Sequence, residues 1–543
     1  MPDITYEQTR ITHADGQWAD VSIVRCPAGR LRFSDLSPSP ARIRLRDAAY
    51  FRYSKARIRG EQAPEVVAWA CLENDHHVQR MFPTLNTISE EGEHFLSANA
   101  FITYFLRELL RRGWLRWRTG DWYASVPAQY ASWEERAVII LHWLMAENRL
   151  WLETGPQSTP PARTGFEGCD PLFHLTPVGR CGYIRDAVRA HYPAAAFNSS
   201  FFLLERDDLL SHHSALGDPY GLLVENSTII RPPLYRRATL WRDTAGHWQI
   251  GTIGMEDVRL HLPGEVTLYP EKSGVKPGRR QALFAVNPPG EMPVALYTRH
   301  FGVDTVGYPI GYTPVSKGRF ELTIIDRTIT SWQRGGNLLI PQNGLVISFA
   351  AGRDGQPLMA LGDLSTNIAA LRELIGGGQV RYSFWQPHHE GMISAQQAGP
   401  QLIAAGEIAR DASIFAREEY WISVEDAEQV HPGIVPTDFP VDLEQTRAAR
   451  LGIGIDAAGD LVILAVSGTS RGIARPGIDS AGATLLELAG LLQEAGALQA
   501  INLDGGGSVQ LFAEGGLYNI PGDRRGRQGI VYERLVPTIG LIE

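Results

Sequence analysis

The sequence predicts an α/β fold, an α+β mixed-sheet domain joined to a helical N-terminal or inserted module. Three observations predict it. Residues 501–508, Ile-Asn-Leu-Asp-Gly-Gly-Gly-Ser, end a buried strand in a glycine loop. From about residue 170 onward, short apolar runs punctuated by Gly and Pro mix with helical stretches. Residues 41–153 differ in texture, being rich in Arg, Trp and Leu at helical spacing.

Taken in order, residues 17–36 read as strands, because Val21, Ile23, Leu31 and Phe33 alternate with polar neighbours around a Pro-Ala-Gly turn. Phe101, Phe105, Leu109 and Leu110 suit an amphipathic helix, and Ser132-Trp-Glu-Glu135 is a capping box before the apolar run Val138 to Leu144. The turn-rich stretch 154–165 then marks a boundary. The expected organisation is 1–40 as N-terminal strands, 41–165 as the helical module or insertion, and 166–543 as the main domain. Within that domain, Tyr183 to His191 reads as helix, and Ala194 to Asn198 as a buried strand with a polar end. Val294–Tyr297, Phe320–Ile325 and Leu345–Ser348 read as strands. Leu364 to Ile375 reads as a helix closed by glycines. Ile453 to Val466 is strand–turn–strand around Gly459. Thr484-Leu-Leu-Glu487 is a second capping box, opening a helix that runs to Gly496. The next strand, Leu498 to Leu503, delivers Asp504.

Composition bounds the function classes. The 543 residues exceed one simple core, and 44% hydrophobic with 20% charged residues is ordinary for a globular protein. A net charge of −9 argues against nucleic acid as a partner. The basic, Trp-rich stretch 111–118 reads as a helix end with solvated arginines. The four cysteines form no Cys-x-x-Cys pair and are too few for a disulfide scaffold. No apolar run approaches a membrane span, and the N-terminus lacks a signal-peptide pattern, so no membrane partner and a cytoplasmic location are expected.

Asp504 and its glycines carry the clearest chemical signal. Three consecutive glycines cost chain entropy and belong where the backbone turns sharply or meets a ligand. Amides in such a loop can cradle an anion. An aspartate at the strand tip is placed to act as acid, base or polar ligand. The loop has neither the Lys-Ser/Thr of a P-loop nor the spacing of a dinucleotide fingerprint. The doublets His212-His213 and His388-His389 read as exposed loop histidines, since neighbours on a strand point to opposite faces. No spacing demands a metal; no cofactor is predicted, and a divalent cation has no ligand set to support it.

Asn502-Leu-Asp-Gly-Gly-Gly-Ser508 resembles the signature of the phosphodiester glycosidase family. Ala196-Phe-Asn-Ser-Ser-Phe-Phe202, Gly217-Asp-Pro-Tyr-Gly221, Leu296-Tyr-Thr298 with Glu321, Arg450-Leu-Gly-Ile-Gly454, Gly482 to Ala489, Asn519-Ile-Pro521 and Glu533-Arg534 follow the family's order. Ser199, Ser200, Ser467, Val509 and Gln510 depart from its usual residues.

The resemblance implies a hydrolase cleaving the bond between a sugar's anomeric carbon and a phosphodiester oxygen. The partner would be a small molecule or glycan carrying a sugar-1-phosphate linkage. A phosphate monoester leaves readily, so weight shifts from acid assistance to anion stabilisation and to the oxocarbenium-like sugar. Asp504 and Glu321 are the implied catalytic pair. The implied substrate contacts are Asn198, Arg450, Asn502, Gly505, Gly506, Gly507, Ser508, Glu533 and Arg534. Each has a plainer reading. Glu321 would be an outward strand residue, Arg450 a surface arginine, Asn198 and Ser508 turn caps, and Glu533 the partner of a neighbouring arginine. The alternative function is a non-catalytic glycan- or nucleotide-sugar-binding protein on the same scaffold.

Overall fold

The computed structural model describes residues 4–36, 41–44, 150–153, 172–175, 181–203, 217–278, 280–301, 311–316, 318–350, 379–410, 417–420, 443, 446–469, 477–525, 530–531 and 533–543. The chain forms two compact units. One comprises 1–37, 181–214 and 218–543, and the other 38–180 and 215–217. In the second unit the strands Ala41–Arg44, Leu150–Glu153 and Leu172–Leu175 form an antiparallel sheet. The helices expected near 97–110, 132–144 and 364–375 lie outside the described residues.

The first unit is built mostly of β-strands, which corrects the expected α/β architecture. Among the described residues the α-helices are Ile184–His191, Pro387–Glu390 and Leu485–Glu494, with single helical residues at Arg417 and Leu443. Its seven-stranded sheet runs Thr5–Thr12, Trp18–Cys26, Leu461–Val466, Arg450–Asp456, Ala497–Asn502, Gln401–Ala404 and Glu407–Ile408. Every pairing in it is antiparallel. Short turns such as the one at Gly459 (φ +85°) return the chain directly, so no crossover helix is needed. A five-stranded sheet brings Leu31–Asp35, Thr538–Ile542, Ala195–Asn198, Leu511–Ala513 and Gly516–Leu517 together, so the third strand and the last strand of the chain pair in one sheet. Parallel pairing occurs in the eight-stranded sheet, where Gln281–Val286 lies between Val266–Pro270 and Val294–Tyr297.

The helix Leu485–Glu494 forms for local reasons and then packs. The Thr484 hydroxyl accepts from the Glu487 amide at 3.1 Å, and the Glu487 carboxylate accepts from the Thr484 amide at 2.9 Å. Leu485, Leu488, Ala489 and Leu492 are buried at helical spacing. Two strand glycines admit close neighbours, the helix at Gly452 and the next strand at Gly454. A Cβ on Gly452 would sit 2.7 Å from Leu492 Cδ1, and one on Gly454 would sit 2.5 Å from the Cβ of Ala497. Gly454→Ala is therefore expected to cost about 1–3 kcal/mol by overpacking. The urea midpoint measures it, and an unchanged midpoint would show that these strands part freely. Among the described residues, no helix is long and apolar enough to cross a membrane.

Candidate active site

The strand Ala497–Asn502 leaves the central sheet with Ile501 and Leu503 fully buried. The Leu503 amide donates to Leu451 C=O at 2.8 Å and the Asp504 amide to Ser199 C=O at 3.2 Å, so Asp504 is anchored from two sheets. The glycines that follow have separate reasons. Gly506 adopts φ +60°, and a Cβ there would meet open space. Gly507 passes so close to an ion pair that a Cβ would lie 2.0 Å from Asp523 Oδ1 and 2.2 Å from Arg534 Nη2. Gly505 lies over the Arg450 side chain, 3.9 Å from Nη1 by the same measure.

The loop amides depart from the anion cradle expected of Gly505 to Ser508. Gly506 N–H donates to Ala449 C=O at 2.8 Å and Ser508 N–H to Gly505 C=O at 3.2 Å. The Gly505 amide is directed at the Asp504 carboxylate. Nearby carbonyls thus take the Gly506 and Ser508 donors, while Gly507 N–H makes no hydrogen bond among the described residues.

Asp504 is the chemically unusual group. The residue is half-buried, yet its Oδ2 is out of reach of solvent and has no hydrogen-bond partner. Burial pushes its carboxyl up to about 7, against the opposing pull of the Ser508 hydroxyl, the Arg534 charge and the Gly505 amide. Asp523 adds to the upward push. Arg534 grips Asp523 with two bonds of 2.8 Å and reaches the Ser508 hydroxyl at 3.4 Å. Asp504, Ser508, Asp523 and Arg534 thus form one polar cluster beneath the glycine turn.

The remaining predicted residues divide. Asn198 acts as a clamp: its Nδ2 donates to Asp504 C=O at 2.7 Å and its Oδ1 accepts from the Gln510 amide at 3.0 Å. Both ends of the amide are committed to the loop's backbone. Asn502 donates through Nδ2 to Gly399 C=O at 3.0 Å, while its buried Oδ1 has no partner. Arg450 is buried, not a surface arginine; it donates to Ala483 C=O at 3.0 Å and Thr446 C=O at 3.1 Å. Glu533 pairs with Arg185 of the helix Ile184–His191 through two hydrogen bonds, one of 2.8 Å. Glu321 stands in the eight-stranded sheet, fully buried, accepting from Thr313 Oγ1 at 2.8 Å and Ser348 Oγ at 2.9 Å. No described hydrogen bond links it to the glycine loop.

Sequence reasoning missed Asp523 and Gly399. The first sits between a glycine and an arginine loop with no periodic signal around it. The second was marked only by a Gly-Pro dipeptide, an ordinary turn signal. The departures from the family pattern have structural uses. Ser199 Oγ lies 3.2 Å from Gln396 Oε1 and 3.0 Å from Thr538 Oγ1, hydrogen-bonded wholly inside the fold. Ser467 Oγ accepts from the Ile520 amide at 3.1 Å. Gln510 Nε2 donates to Arg534 C=O at 2.7 Å, and Val509 is core. His389, expected in solvent, is instead buried against Trp241 and Phe384 with ring centroids 5.6 Å away in each case. Its short helix folds inward because both aromatic rings offer apolar cover. His212 and His213 lie outside the described residues. Among the described residues, no group of three His, Cys, Asp or Glu side chains is placed to hold a metal ion.

Comparison with known proteins places these observations. Residues 334–543 match the phosphodiester glycosidase family model. No curated protein matches the chain. A Synechocystis hypothetical protein is 15% identical with a TM-score of 0.40; the match covers 99% of this chain but only 62% of that one. The zebrafish N-acetylglucosamine-1-phosphodiester α-N-acetylglucosaminidase catalytic domain, auto-inhibited by its pro-peptide, is 10% identical with a TM-score of 0.36, covering 100% and 83%. A putative exported protein from Burkholderia pseudomallei is 15% identical with a TM-score of 0.37, covering 99% and 97%. None of these three structural likenesses bears on chemistry. The stretch that matches the phosphodiester glycosidase family, residues 334–543, therefore holds Asp504, Ser508, Asp523 and Arg534.

Proposed function

We propose that the protein hydrolyses the bond between a sugar's anomeric carbon and a phosphodiester oxygen, with Asp504 as the catalytic carboxylate. The observation that carries this reading is the half-buried Asp504 carboxyl at an open glycine turn, its Oδ2 enclosed without a partner while solvent reaches part of the residue. A carboxylate held near 7 is a far better base than a solvated one. It can take a proton from the attacking water and stabilise positive charge on the sugar ring. The water oxygen bonds to the anomeric carbon as the carbon–oxygen bond to phosphate breaks. The phosphate monoester leaves with the bonding electrons, and the water's proton passes to Asp504. Little acid assistance is required for such a leaving group. Arg534 and the neighbouring Arg450 supply a positive field for the departing anion.

The family's implied second carboxylate, Glu321, has no place in this scheme, because Thr313 and Ser348 occupy its oxygens in another sheet. Asp523 serves instead to hold Arg534 against the turn. The proposed partner is a small molecule or glycan with a sugar-1-phosphate linkage.

A panel of α-glycosyl phosphodiesters tests the reading. Turnover is expected, with kcat/KM rising through about pH 7 as Asp504 ionises and level above it. Saturable binding without turnover would replace this proposal with the non-catalytic alternative. A profile flat from pH 5 to 9 would remove Asp504 from the base role.

A further inference from the structure

A second buried carboxylate stands behind the strand that carries the site. Glu418 is 3% exposed. Its Oε2 accepts from the Ala238 amide at 2.9 Å and its Oε1 from the Gln401 amide at 2.8 Å, tying two sheets together. Between those amides runs the segment 398–400. Tyr420 Oη donates to Ala398 C=O at 2.9 Å. Gly399 passes so near that a Cβ there would lie 2.5 Å from Glu418 Oε2 and 3.2 Å from Tyr420 Oη.

On its other side the same segment holds Asn502. Gly399 N–H donates to Asn502 C=O, Asn502 N–H donates to Pro400 C=O, and Asn502 Nδ2 donates to Gly399 C=O, all at 3.0 Å. Asp504 follows two residues later. A chain of direct contacts therefore runs from Glu418 through Gly399 and Asn502 to the glycine turn.

A carboxylate is a costly choice for so enclosed a place unless its oxygens are paired. Its compensation is specific: two amides, and the Arg237 guanidinium, which stacks 3.9 Å from the Tyr420 ring and 4.5 Å from the Tyr235 ring. Each carboxyl oxygen accepts from one amide; a glutamine of the same shape turns one acceptor into a donor. We propose that Glu418 is a positioning residue for hydrolysis, setting the place of the Asp504 carboxyl through Gly399 and Asn502. The inference rests on the reading of Asp504 as the catalytic carboxylate.

The test is a double-mutant cycle on Glu418→Gln and Asn502→Ala, with kcat and KM measured on a glycosyl phosphodiester well below the unfolding temperature. Glu418→Gln is expected to lower kcat by about tenfold or more with KM within about twofold. The double variant should be no slower than Asn502→Ala alone. Multiplying effects, or an unchanged kcat, would overturn the inference. If Glu418→Gln does not fold, Glu418→Asp, which keeps the charge and shortens the reach, takes its place with the same expected outcome. Amide hydrogen exchange gives a readout independent of turnover: residues 499–504 should exchange faster in the variant than the rest of the central sheet. If the wild-type protein cleaves no glycosyl phosphodiester, the functional reading fails while exchange still decides the positioning link. Unchanged exchange would overturn that link in turn.

Discussion

Asp504→Asn should lower kcat on a glycosyl phosphodiester by about a thousandfold or more while making the folded protein more stable at alkaline pH. Both effects come from one buried oxygen. Burial holds the carboxyl near 7 in the folded state, against about 4 in an unfolded chain. Between those values the folded protein keeps a proton that the unfolded chain has lost. The group's contribution to stability is therefore complete below about pH 4 and is lost as pH rises through about 7. Asparagine has the same shape and no charge to bury, so the variant escapes that loss. The difference between about 4 and about 7 corresponds to roughly 4 kcal/mol as a ceiling, and solvent reaching part of the residue brings the expected gain at pH 8 to about 2 kcal/mol. Denaturant midpoints at pH 5 and pH 8 measure it: the advantage of the variant should grow with pH. Wild-type turnover in a well-folded Asp504→Asn protein would end the proposed mechanism.

Gly507→Ala should destabilise the protein by about 3 kcal/mol and abolish the same activity. The added methyl would overlap Asp523 Oδ1 and Arg534 Nη2, at 2.0 and 2.2 Å. Long side chains ordinarily swing away from such a clash. These two hold each other by paired 2.8 Å bonds in a mostly buried place, so moving either leaves a charge poorly compensated. Removing Asp523 first relieves the crowding. The double variant Gly507→Ala/Asp523→Ala should therefore cost less than the two single changes added together. Thermal and denaturant unfolding of the four proteins measures this coupling. A Gly507→Ala midpoint matching wild type, with activity retained, would show that the turn is not held against the ion pair.

The sequence was most legible where the cause of structure is local. Thr484 and Glu487 are three residues apart and cap one helix turn, so their pattern alone announces the helix Leu485–Glu494. The strand before Asp504 was equally plain, since an apolar run meeting three glycines has few other solutions. The overall class was misjudged for a related reason. Apolar alternation shows that strands exist but not how they join, and antiparallel returns replaced the expected mixed α/β arrangement. The first strand, Thr5–Thr12, went unread because its side chains are largely exposed and carry little hydrophobic contrast.

By itself the sequence determined the capped helix, the strand that ends at Asn502 and the glycine turn beyond it, because each depends on residues within a few positions of one another. Partnership was decided only by the tertiary structure. Asn198 grips Asp504 across 306 positions, Glu533 turns to Arg185 across 348, and Glu321 goes to another sheet. The Gly506 and Ser508 amides are consumed by neighbouring carbonyls, and Asp523 closes on Arg534. Hydrogen bonds and desolvation act through space over a few ångströms, so which groups are satisfied, and which carboxyl oxygen is left without a donor, follows from the packed arrangement of distant strands.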